Sequence, residues 1–185
     1  MTLSPKLPPA LPVLEGRMVC LRPFTAANIS ASYISWLNDP QVVRYSNQRF
    51  RRHDQASSEQ YLKSFVGTDN LFVAITNKDS GQLLGTMTAY IARPHGTVDV
   101  GLMVGERSVW GKGIGQDAWD ILCNWLLGPD VGLRKLTAGT ARPNVAMVRI
   151  MERSGMQIEA VRREQEIIEG EAVDLVYYAR FSRHA

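Results

Sequence analysis

The order of apolar and polar positions predicts strands and helices along almost the whole chain. Apolar runs rich in β-branched residues predict strands at 18–23, 71–76, 83–91, 97–104 and 133–140, and a closing hairpin at 157–167 and 173–181. Apolar residues at helical spacing predict helices at 25–37, 54–65, 114–125 and 145–154. The resulting order, β-α-α-β-β-β-α-β-α-β-β, predicts one α/β (α+β) domain with a mixed, mostly antiparallel sheet flanked by helices.

The first residues differ in composition from the rest of the chain. Pro5, Pro8, Pro9 and Pro12 exclude a helix there, and the segment lacks the uninterrupted apolar core of a signal peptide. We therefore expect a Pro-rich, flexible or extended tail over residues 1–16 and a domain over 17–185.

Three glycines lie at alternate positions where the strand at 97–104 gives way to the helix at 114–125. Gly111, Gly113 and Gly115 permit positive φ and let backbone N–H groups approach an anion closely. The helix N-terminus adds a positive dipole end at the same point. The pattern predicts a phosphate-binding loop, and a tight turn without a ligand is the alternative.

Spacing excludes several other sites. Five residues separate Gly105 from Gly111, whereas a Walker loop needs four, and Gln116 replaces the third glycine of a dinucleotide fingerprint. No Gly-x-Ser-x-Gly elbow of a serine hydrolase is present. The three histidines are scattered and no Cys/His pair has ligand spacing, so no metal site is predicted.

Composition narrows the kind of partner. The apolar fraction of 45% and charged fraction of 21% are typical of a soluble globular protein, and no apolar run approaches the ~20 residues of a membrane span. A net charge of +3 is only a mild basic bias. A nucleic-acid binder usually concentrates basic residues in one patch, so the mild bias suits a small anionic ligand better. Cys20 and Cys123 lie in apolar runs and are expected to be reduced core thiols, which indicates a cytoplasmic location.

Three segments resemble one known family. Trp110-Gly111-Lys112-Gly113-Ile114-Gly115 resembles the Gln/Arg-x-x-Gly-x-Gly/Ala pyrophosphate loop of the GNAT acetyltransferases, with Trp110 in place of Gln or Arg, as in the branch resembling ribosomal-protein N-terminal (RimJ/RimL-like) acetyltransferases. Trp36-Leu37-Asn38-Asp39-Pro40 resembles that branch's Trp-Leu-x-Asp-Pro segment, and Asn144 followed by Gly155-Met156 resembles the family's second signature. The resemblance covers nearly all of residues 17–182 and implies a GNAT-like domain that binds acetyl-CoA.

The resemblance implies a set of residues that hold acetyl-CoA. Backbone amides of the glycine loop would bind its pyrophosphate, and a backbone N–H near Met103 or Val104 would stabilise the developing oxyanion. Asn144 either caps its helix or hydrogen-bonds the pantetheine arm. The implied cofactor residues are Met103, Val104, Trp110, Gly111, Lys112, Gly113, Ile114, Gly115 and Asn144.

The reaction that the resemblance implies is direct attack of an amine on the thioester. The amine must lose a proton, and Asp99, on the strand before the loop, is the predicted general base, acting through water; pairing with an arginine is the structural alternative. Glu106 is the reserve candidate. The positions where relatives carry a Tyr or Ser acid are Met151 and Met147 here, so no acid is predicted and solvent can protonate the thiolate.

The acceptor side follows the first helix. Arg49, Arg51 and Arg52 suit an anion-binding lip, with Trp36 or Tyr45 stacking on a ring, although such a charged run is also typical of a solvated face. We therefore expect a small anionic amine, such as a nucleotide-linked amino sugar, as acceptor. The alternatives are N-terminal acetylation of a protein and a non-catalytic acyl-CoA-binding domain; a homodimer is left open.

Overall fold

The predicted strands and helices form, with small shifts at their ends. The computed structural model of the protein describes residues 11–182. Its strands are β1 (Leu14–Glu15), β2 (Val19–Pro23), β3 (Leu71–Asn77), β4 (Leu83–Ala92), β5 (Thr97–Val104), β6 (Lys135–Ala141), β7 (Gln157–Ile168) and β8 (Glu171–Phe181). Its α-helices are α1 (Ala31–Leu37), α2 (Gln55–Lys63), α3 (Ile114–Leu127) and α4 (Val145–Arg153).

The strands form one sheet in the order β1-β2-β3-β4-β5-β6-β8-β7. Every neighbouring pair is antiparallel except β5 and β6, which are parallel because α3 crosses over between them. This arrangement confirms the predicted mixed, mostly antiparallel sheet.

The parallel pair is incomplete. Thr97–Asp99 of β5 pair with Lys135–Thr137 of β6, and there the pairing ends. Both strands continue, β5 to Val104 and β6 to Ala141, without facing each other across hydrogen bonds. The sheet therefore opens into a gap between the distal halves of β5 and β6.

Each face of the sheet has its own core. On one face α3 and α4 pack on the strands, and Trp119, Leu122 and Leu126 of α3 are completely buried. On the other face α1 and α2 cover β3 and neighbouring strands through a cluster in which Phe72 stacks on Phe24 at 4.2 Å and on Phe65 at 5.1 Å. Within residues 11–182 no helix has the length and apolar character to cross a membrane. Cys20 and Cys123 are buried free thiols, as predicted.

Two expectations near the N-terminus need correction. Residues 1–10 lie outside the described part, but the expected tail boundary at residue 16 is too late, because Leu11 is buried and β1 pairs with β2. The helix predicted to begin at Thr25 is divided: Thr25 caps a 3-10 turn at Ala26–Asn28, and Ser30 caps α1 by accepting a hydrogen bond from the Tyr33 N–H at 3.2 Å.

Asp117 connects the start of β2 to the first turn of α3. Its buried carboxylate accepts hydrogen bonds from the backbone N–H groups of Met18 at 2.8 Å, Val19 at 3.2 Å and Arg17 at 3.3 Å. A Cβ at Gly16 would lie 2.6 Å from Asp117 Oδ2, so this approach requires glycine. The contact fixes the N-terminal end of α3 against the sheet.

We expect Asp117→Ala to lower the free energy of unfolding by about 3 kcal/mol or more, because it leaves partly buried N–H groups without an acceptor. Chemical denaturation measures this change. Asp130→Ala, at an exposed position in the α3–β6 connection, is the matched control and is expected to change stability by no more than about 0.5 kcal/mol. Equal stability of the two variants would show that the Asp117 contact does not hold β2 to α3.

Candidate active site

The glycine loop at the start of α3 has the geometry of an anion cradle. Gly111 has φ +74° and Gly113 has φ +86°, both in the left-handed region that favours glycine. Gly113 is the N-cap of α3, and no side chain caps this helix end. The first N–H groups of α3 are therefore available to an anion at the positive end of the helix dipole.

Position 115 is a glycine because the helix packs closely there, and not because its backbone needs a positive φ. A Cβ there would lie 3.1 Å from Ile150 Cδ1 and 3.4 Å from Val104 Cγ2. The small residue thus lets α3 approach both α4 and the end of β5. The glycine loop is held beside the gap in the sheet.

Trp110 also joins the loop to β5. Its indole Nε1–H donates to the Val104 carbonyl at 2.8 Å, and the Arg107 guanidinium lies 5.7 Å from its ring. The indole remains 43% exposed, and Lys112 is exposed nearby. Trp110 therefore fixes the end of β5 and leaves an aromatic face open beside the loop.

The backbone of β5 presents donors to the gap. Gly105 donates its N–H to the Leu84 carbonyl of β4 at 3.0 Å, and partners alternate along an antiparallel strand. By this alternation the Met103 N–H also faces β4, whereas the Leu102 and Val104 N–H groups face the gap. Of the two predicted oxyanion donors, only Val104 is thus directed to the gap; the sequence did not identify Leu102.

Asn144 occupies the cap of α4. Its Oδ1 accepts from the Met147 N–H at 3.3 Å, and its Nδ2 donates to Thr140 Oγ1 at 3.0 Å. Of the two predicted roles, the geometry shows helix capping. Thr140, on the part of β6 that pairs with β8 but not with β5, links this cap to the gap.

Asp99 lies where β5 and β6 separate. Its Oδ2 accepts a hydrogen bond from Thr137 Oγ1 at 2.9 Å, at the last residue pair of the parallel ladder. Partial burial raises the pKa of its carboxyl above the ordinary value, and the Thr137 hydrogen bond offsets part of the rise. The side chain still reaches solvent. No arginine within residues 11–182 forms an ion pair with Asp99, so the arginine pairing that was the alternative for this residue is not formed there.

Two tyrosines lie on the β4 side of Asp99. Tyr90 is directly opposite Asp99 in the antiparallel register, so both side chains are on the same face of the sheet. The Tyr90 and Tyr61 hydroxyls lie 2.8 Å apart. Burial, and then this hydrogen bond, raises the pKa of the Tyr61 phenol, so Tyr61 stays neutral at physiological pH. The Asp99 carboxylate thus lies on a face of the sheet that also carries two linked phenol groups.

Glu106 is poorly suited to be the reserve base. Its carboxylate accepts from the Ser108 hydroxyl at 2.6 Å and the Ser108 N–H at 3.0 Å, capping a short 3-10 turn. These bonds lower the pKa of Glu106 below its ordinary value. A carboxylate that binds protons more weakly is a weaker base.

The predicted arginine lip meets the tip of the β7–β8 hairpin. Arg49 pairs with Glu166 at 3.4 Å, and Arg44 pairs with Glu169 at 2.6 Å. Both contacts join residues more than one hundred positions apart. The segment from Arg44 to Arg52 is therefore neither a fully solvated face nor a free lip. Arg44 and Arg49 join it to the β7–β8 hairpin.

A partly open cavity of about 280 Å³ lies beside this contact. Its walls include the four arginines of the segment: Arg44, Arg49, Arg51 and Arg52. Arg44 Nε and Arg49 Nη1 are buried and have no hydrogen-bond partner among the described residues. We call this space the arginine cavity; four guanidinium groups and one carboxylate, that of Glu169, line it, and this excess of positive charge suits an anion.

The two aromatic residues predicted to stack on the acceptor, Trp36 and Tyr45, differ in exposure. Trp36 is only 7% exposed and lies against the backbone of Gly105, where a Cβ would come within 2.2 Å of the indole. The prediction that Trp36 stacks on an acceptor is therefore wrong, because its buried ring packs against the end of β5. Tyr45 is partly exposed, with the Arg44 guanidinium 5.3 Å from its ring.

Sequence reasoning missed several residues that the fold brings to these sites. Thr137 and Tyr90 are ordinary strand residues whose positions beside Asp99 depend on strand order and register. Arg44 and Glu169 lie outside any motif, and no signal in the sequence pairs them. Within residues 11–182 no group of His, Cys, Asp or Glu side chains could hold a metal ion.

Comparison with known proteins agrees with this geometry. The family described as the acetyltransferase (GNAT) domain matches residues 18–157. No curated protein matches the chain.

Solved structures of acetyltransferases share the fold. A GNAT-family acetyltransferase from Bacillus anthracis superposes with a TM-score of 0.78 at 16% identity, covering 92% of this chain and 98% of its own. RimL, a ribosomal L7/L12 alpha-N-protein acetyltransferase in complex with coenzyme A, has a TM-score of 0.78 at 14% identity, with the same coverage. A ribosomal-protein-S5-alanine acetyltransferase from Vibrio fischeri has a TM-score of 0.77 at 15% identity, covering 92% and 97%.

We expect Gly113→Val to abolish binding of acetyl-CoA. A side chain at φ +86° is strained, and a Cβ would lie 3.2 Å from Met18 Cε at the mouth of the cradle. In the parent protein, a hundredfold excess of acetyl-CoA over the dissociation constant should stabilise the fold by ~2.7 kcal/mol. Thermal unfolding with and without acetyl-CoA measures this shift.

Gly132→Val is the matched control for backbone strain. Gly132 has φ +72° in an exposed turn, and nothing lies near its Cβ position. This variant should lose intrinsic stability to a similar strain and keep the full acetyl-CoA shift. An undiminished shift in a folded Gly113→Val protein would contradict the anion cradle.

Proposed function

The chain belongs to the GNAT acetyltransferase family and is an acyltransferase, and we propose that it transfers the acetyl group of acetyl-CoA to a primary amine on a small anionic acceptor. One observation carries the transfer chemistry. A partly desolvated carboxylate, Asp99, stands where β5 and β6 separate, and the gap beyond it borders the glycine loop of α3.

The residues of the gap fit the parts of acetyl-CoA. The open N-terminus of α3, with Gly111 and Gly113, would hold the pyrophosphate through backbone N–H groups. The pantetheine arm carries amide groups, which suit the unpaired backbone donors and acceptors along the gap. Acetyl-CoA supplies an activated acyl group when bound there.

Asp99 prepares the acceptor for attack. A free alkylamine has a pKa near ~10 and is mostly protonated at neutral pH. Asp99 accepts that proton through water, and the nitrogen lone pair then attacks the thioester carbon. A raised pKa makes the carboxylate a stronger base than an ordinary aspartate. The N–C bond forms as the C–S bond breaks, and the electron pair of that bond goes to sulfur.

Backbone donors and solvent complete the transfer. The Leu102 and Val104 N–H groups that face the gap are placed to stabilise negative charge on the thioester oxygen. Met147 and Met151 supply no proton. A thiol of pKa ~8.5 is a good leaving group. The nitrogen releases its second proton to water after the attack, and the departing thiolate takes up a proton from water, which leaves a neutral amide and free coenzyme A.

The arginine cavity supports an anionic acceptor. It lies at the end of α1, whose Trp36 contacts the backbone just beyond β5. Gly105 directly follows Val104, one of the two residues whose N–H would stabilise the thioester oxygen. An acceptor could therefore place its anion in the cavity while its amine reaches the thioester, as an amino sugar linked to a nucleotide diphosphate could.

A protein N-terminus is the second candidate acceptor. Two proteins of similar fold, RimL and the S5-alanine enzyme, are named as acetyltransferases of ribosomal proteins. Their identities of 14% and 15% support the fold alone. An acetyl-CoA-dependent thiol-release assay with amino sugar nucleotides, free amino sugars and peptides separates the two candidates.

We expect Asp99→Asn to lower turnover by roughly 10² to 10⁴ at neutral pH, with acetyl-CoA affinity nearly unchanged. The defect should shrink as pH rises, because more acceptor then arrives already neutral. Steady-state rates from pH 6 to 10 measure this. A mutant profile parallel to the parent profile would mean that Asp99 is not the base.

Thermal unfolding adds a second measurement to this variant. Burial raises the pKa of Asp99 in the folded state, so the folded protein binds this proton more tightly than the unfolded chain does. Stability contributed by the protonated group is present below its ordinary pKa and is lost as pH rises through the raised one. Asp99→Asn should therefore be at least as stable as the parent at neutral pH, while its turnover falls.

We expect Arg49→Ala and Arg51→Ala each to raise the Michaelis constant for an anionic acceptor about tenfold, since a hydrogen bond to a charged group contributes ~1.5 to 3 kcal/mol. The constant for acetyl-CoA should not change. Arg149→Ala, exposed on α4, is the control for net charge. Unchanged acceptor kinetics, or acetylation of peptides alone, would contradict the anionic acceptor and favour a protein substrate.

A further inference from the structure

Tyr177 of β8 lies on the same face of the sheet as Asp99. It pairs directly with Gly139 of β6, two residues beyond Thr137, which donates to Asp99. Side chains two residues apart on a strand share a face, so the Tyr177 ring is about 7 Å further along β6 than Thr137. Gly139 belongs to the part of β6 that β5 does not pair with. The ring therefore borders the gap.

The Tyr177 ring lies across the backbone of Gly139. A Cβ at Gly139 would be 2.7 Å from Tyr177 Cε1 and 2.8 Å from Cδ1. This is closer than real Cβ contacts, and no positive φ is involved, so the glycine is needed only for the ring position. The Arg162 guanidinium lies 5.0 Å from the centroid of the ring. Together these contacts fix the plane of the phenol.

The Tyr177 side chain is not fully used in packing or hydrogen bonding within the domain. Tyr177 is half-buried, and its hydroxyl has no hydrogen-bond partner among residues 11–182. The helices α1 and α2 cover the β2–β4 side of this face through a cluster that contains no residue of β6 or β8. An aromatic ring with fixed orientation is thus open on the face where the amine would approach Asp99.

We propose that Tyr177, held flat by Gly139, forms the wall of the acceptor site on which the ring of an amine-bearing sugar stacks. The proposal rests on the proposed acetyl transfer and specifies its acceptor. The apolar C–H face of a pyranose suits an aromatic plane, whereas a linear amine gains little from it. The wall and the arginine cavity contact different parts of one elongated acceptor. Tyr177 is a specificity-determining residue that acts through its ring.

Three variants separate the ring from the hydroxyl. Tyr177→Ala removes the ring, Tyr177→Phe keeps it, and Gly139→Ala pushes it off the backbone. We expect Tyr177→Ala and Gly139→Ala to raise the Michaelis constant for an amino sugar nucleotide about five- to tenfold, and Tyr177→Phe to change it less than twofold. Acetyl-CoA affinity, measured by the thermal shift, should stay within twofold in all three, which also shows that each variant is folded.

An acceptor without a ring provides the second comparison. A linear aminoalkyl diphosphate carries the same reactive and anionic groups, so its Michaelis constant should be the same in Tyr177→Ala and in the parent. The proposal is wrong if Tyr177→Phe raises the Michaelis constant for the amino sugar nucleotide as much as Tyr177→Ala does, or if Tyr177→Ala leaves that constant unchanged. It is also wrong if Tyr177→Ala raises the constants for the sugar and the linear acceptor equally.

The outcome remains distinguishable from failure of the anionic acceptor. If only peptides are acetylated, the proposed acceptor class is wrong, and the same three variants are then measured with the peptide. A peptide constant that follows the ring in the predicted order supports Tyr177 as the wall of the acceptor site but not its preference for a sugar. A peptide constant that none of the three variants changes overturns the wall itself.

Discussion

The end of the β5–β6 ladder at Asp99 and Thr137 is the constraint on which the rest of the structure depends. Beyond it, β5 remains paired with β4 and β6 with β8, but the backbone groups that face the gap have no strand partner, and buried backbone groups without partners are costly. The fold satisfies one of them, the Val104 carbonyl, with the Trp110 indole. The others are left along a gap whose walls are fixed by packing. A ligand with its own amides is the natural complement of such a gap.

The packing around the gap holds its two walls in place. Trp36 supports the backbone at Gly105 from one face, and Gly115 allows α3 and α4 to close against Val104 from the other. Asp117 fixes the start of α3 to β2, so the glycine loop cannot move away from the sheet. The same elements that stabilise the domain thus place the anion cradle at one end of the gap and Asp99 at the other.

Local patterns predicted the elements and the tight glycine turn before α3 because their causes are local. Alternate glycines between a strand and a helix require a tight, open turn, and the structure has positive φ at Gly111 and Gly113. The sequence could not show that Trp36 is buried or that Glu106 caps its own turn through Ser108. It singled out a run of arginines but could not show the ion pairs of this segment with the hairpin tip, since Arg44 and Glu169 are 125 residues apart. Register and strand order, which bring Tyr90, Thr137 and Tyr177 near Asp99, are likewise properties of the whole sheet.

A crystal structure with bound coenzyme A tests the central claim most directly, because the account assigns each part of that molecule to a different element. The predicted result places the pyrophosphate at the N–H groups of Gly113 to Gly115 and the pantetheine arm between β5 and β6, with the thiol within reach of the Val104 N–H. A second open groove, lined by Asn124, Ser154, Arg180 and Phe181 at the other end of α3, offers an alternative location. Coenzyme A bound in that groove, or a β5–β6 ladder that closes beyond Thr137 when it binds, would contradict the account.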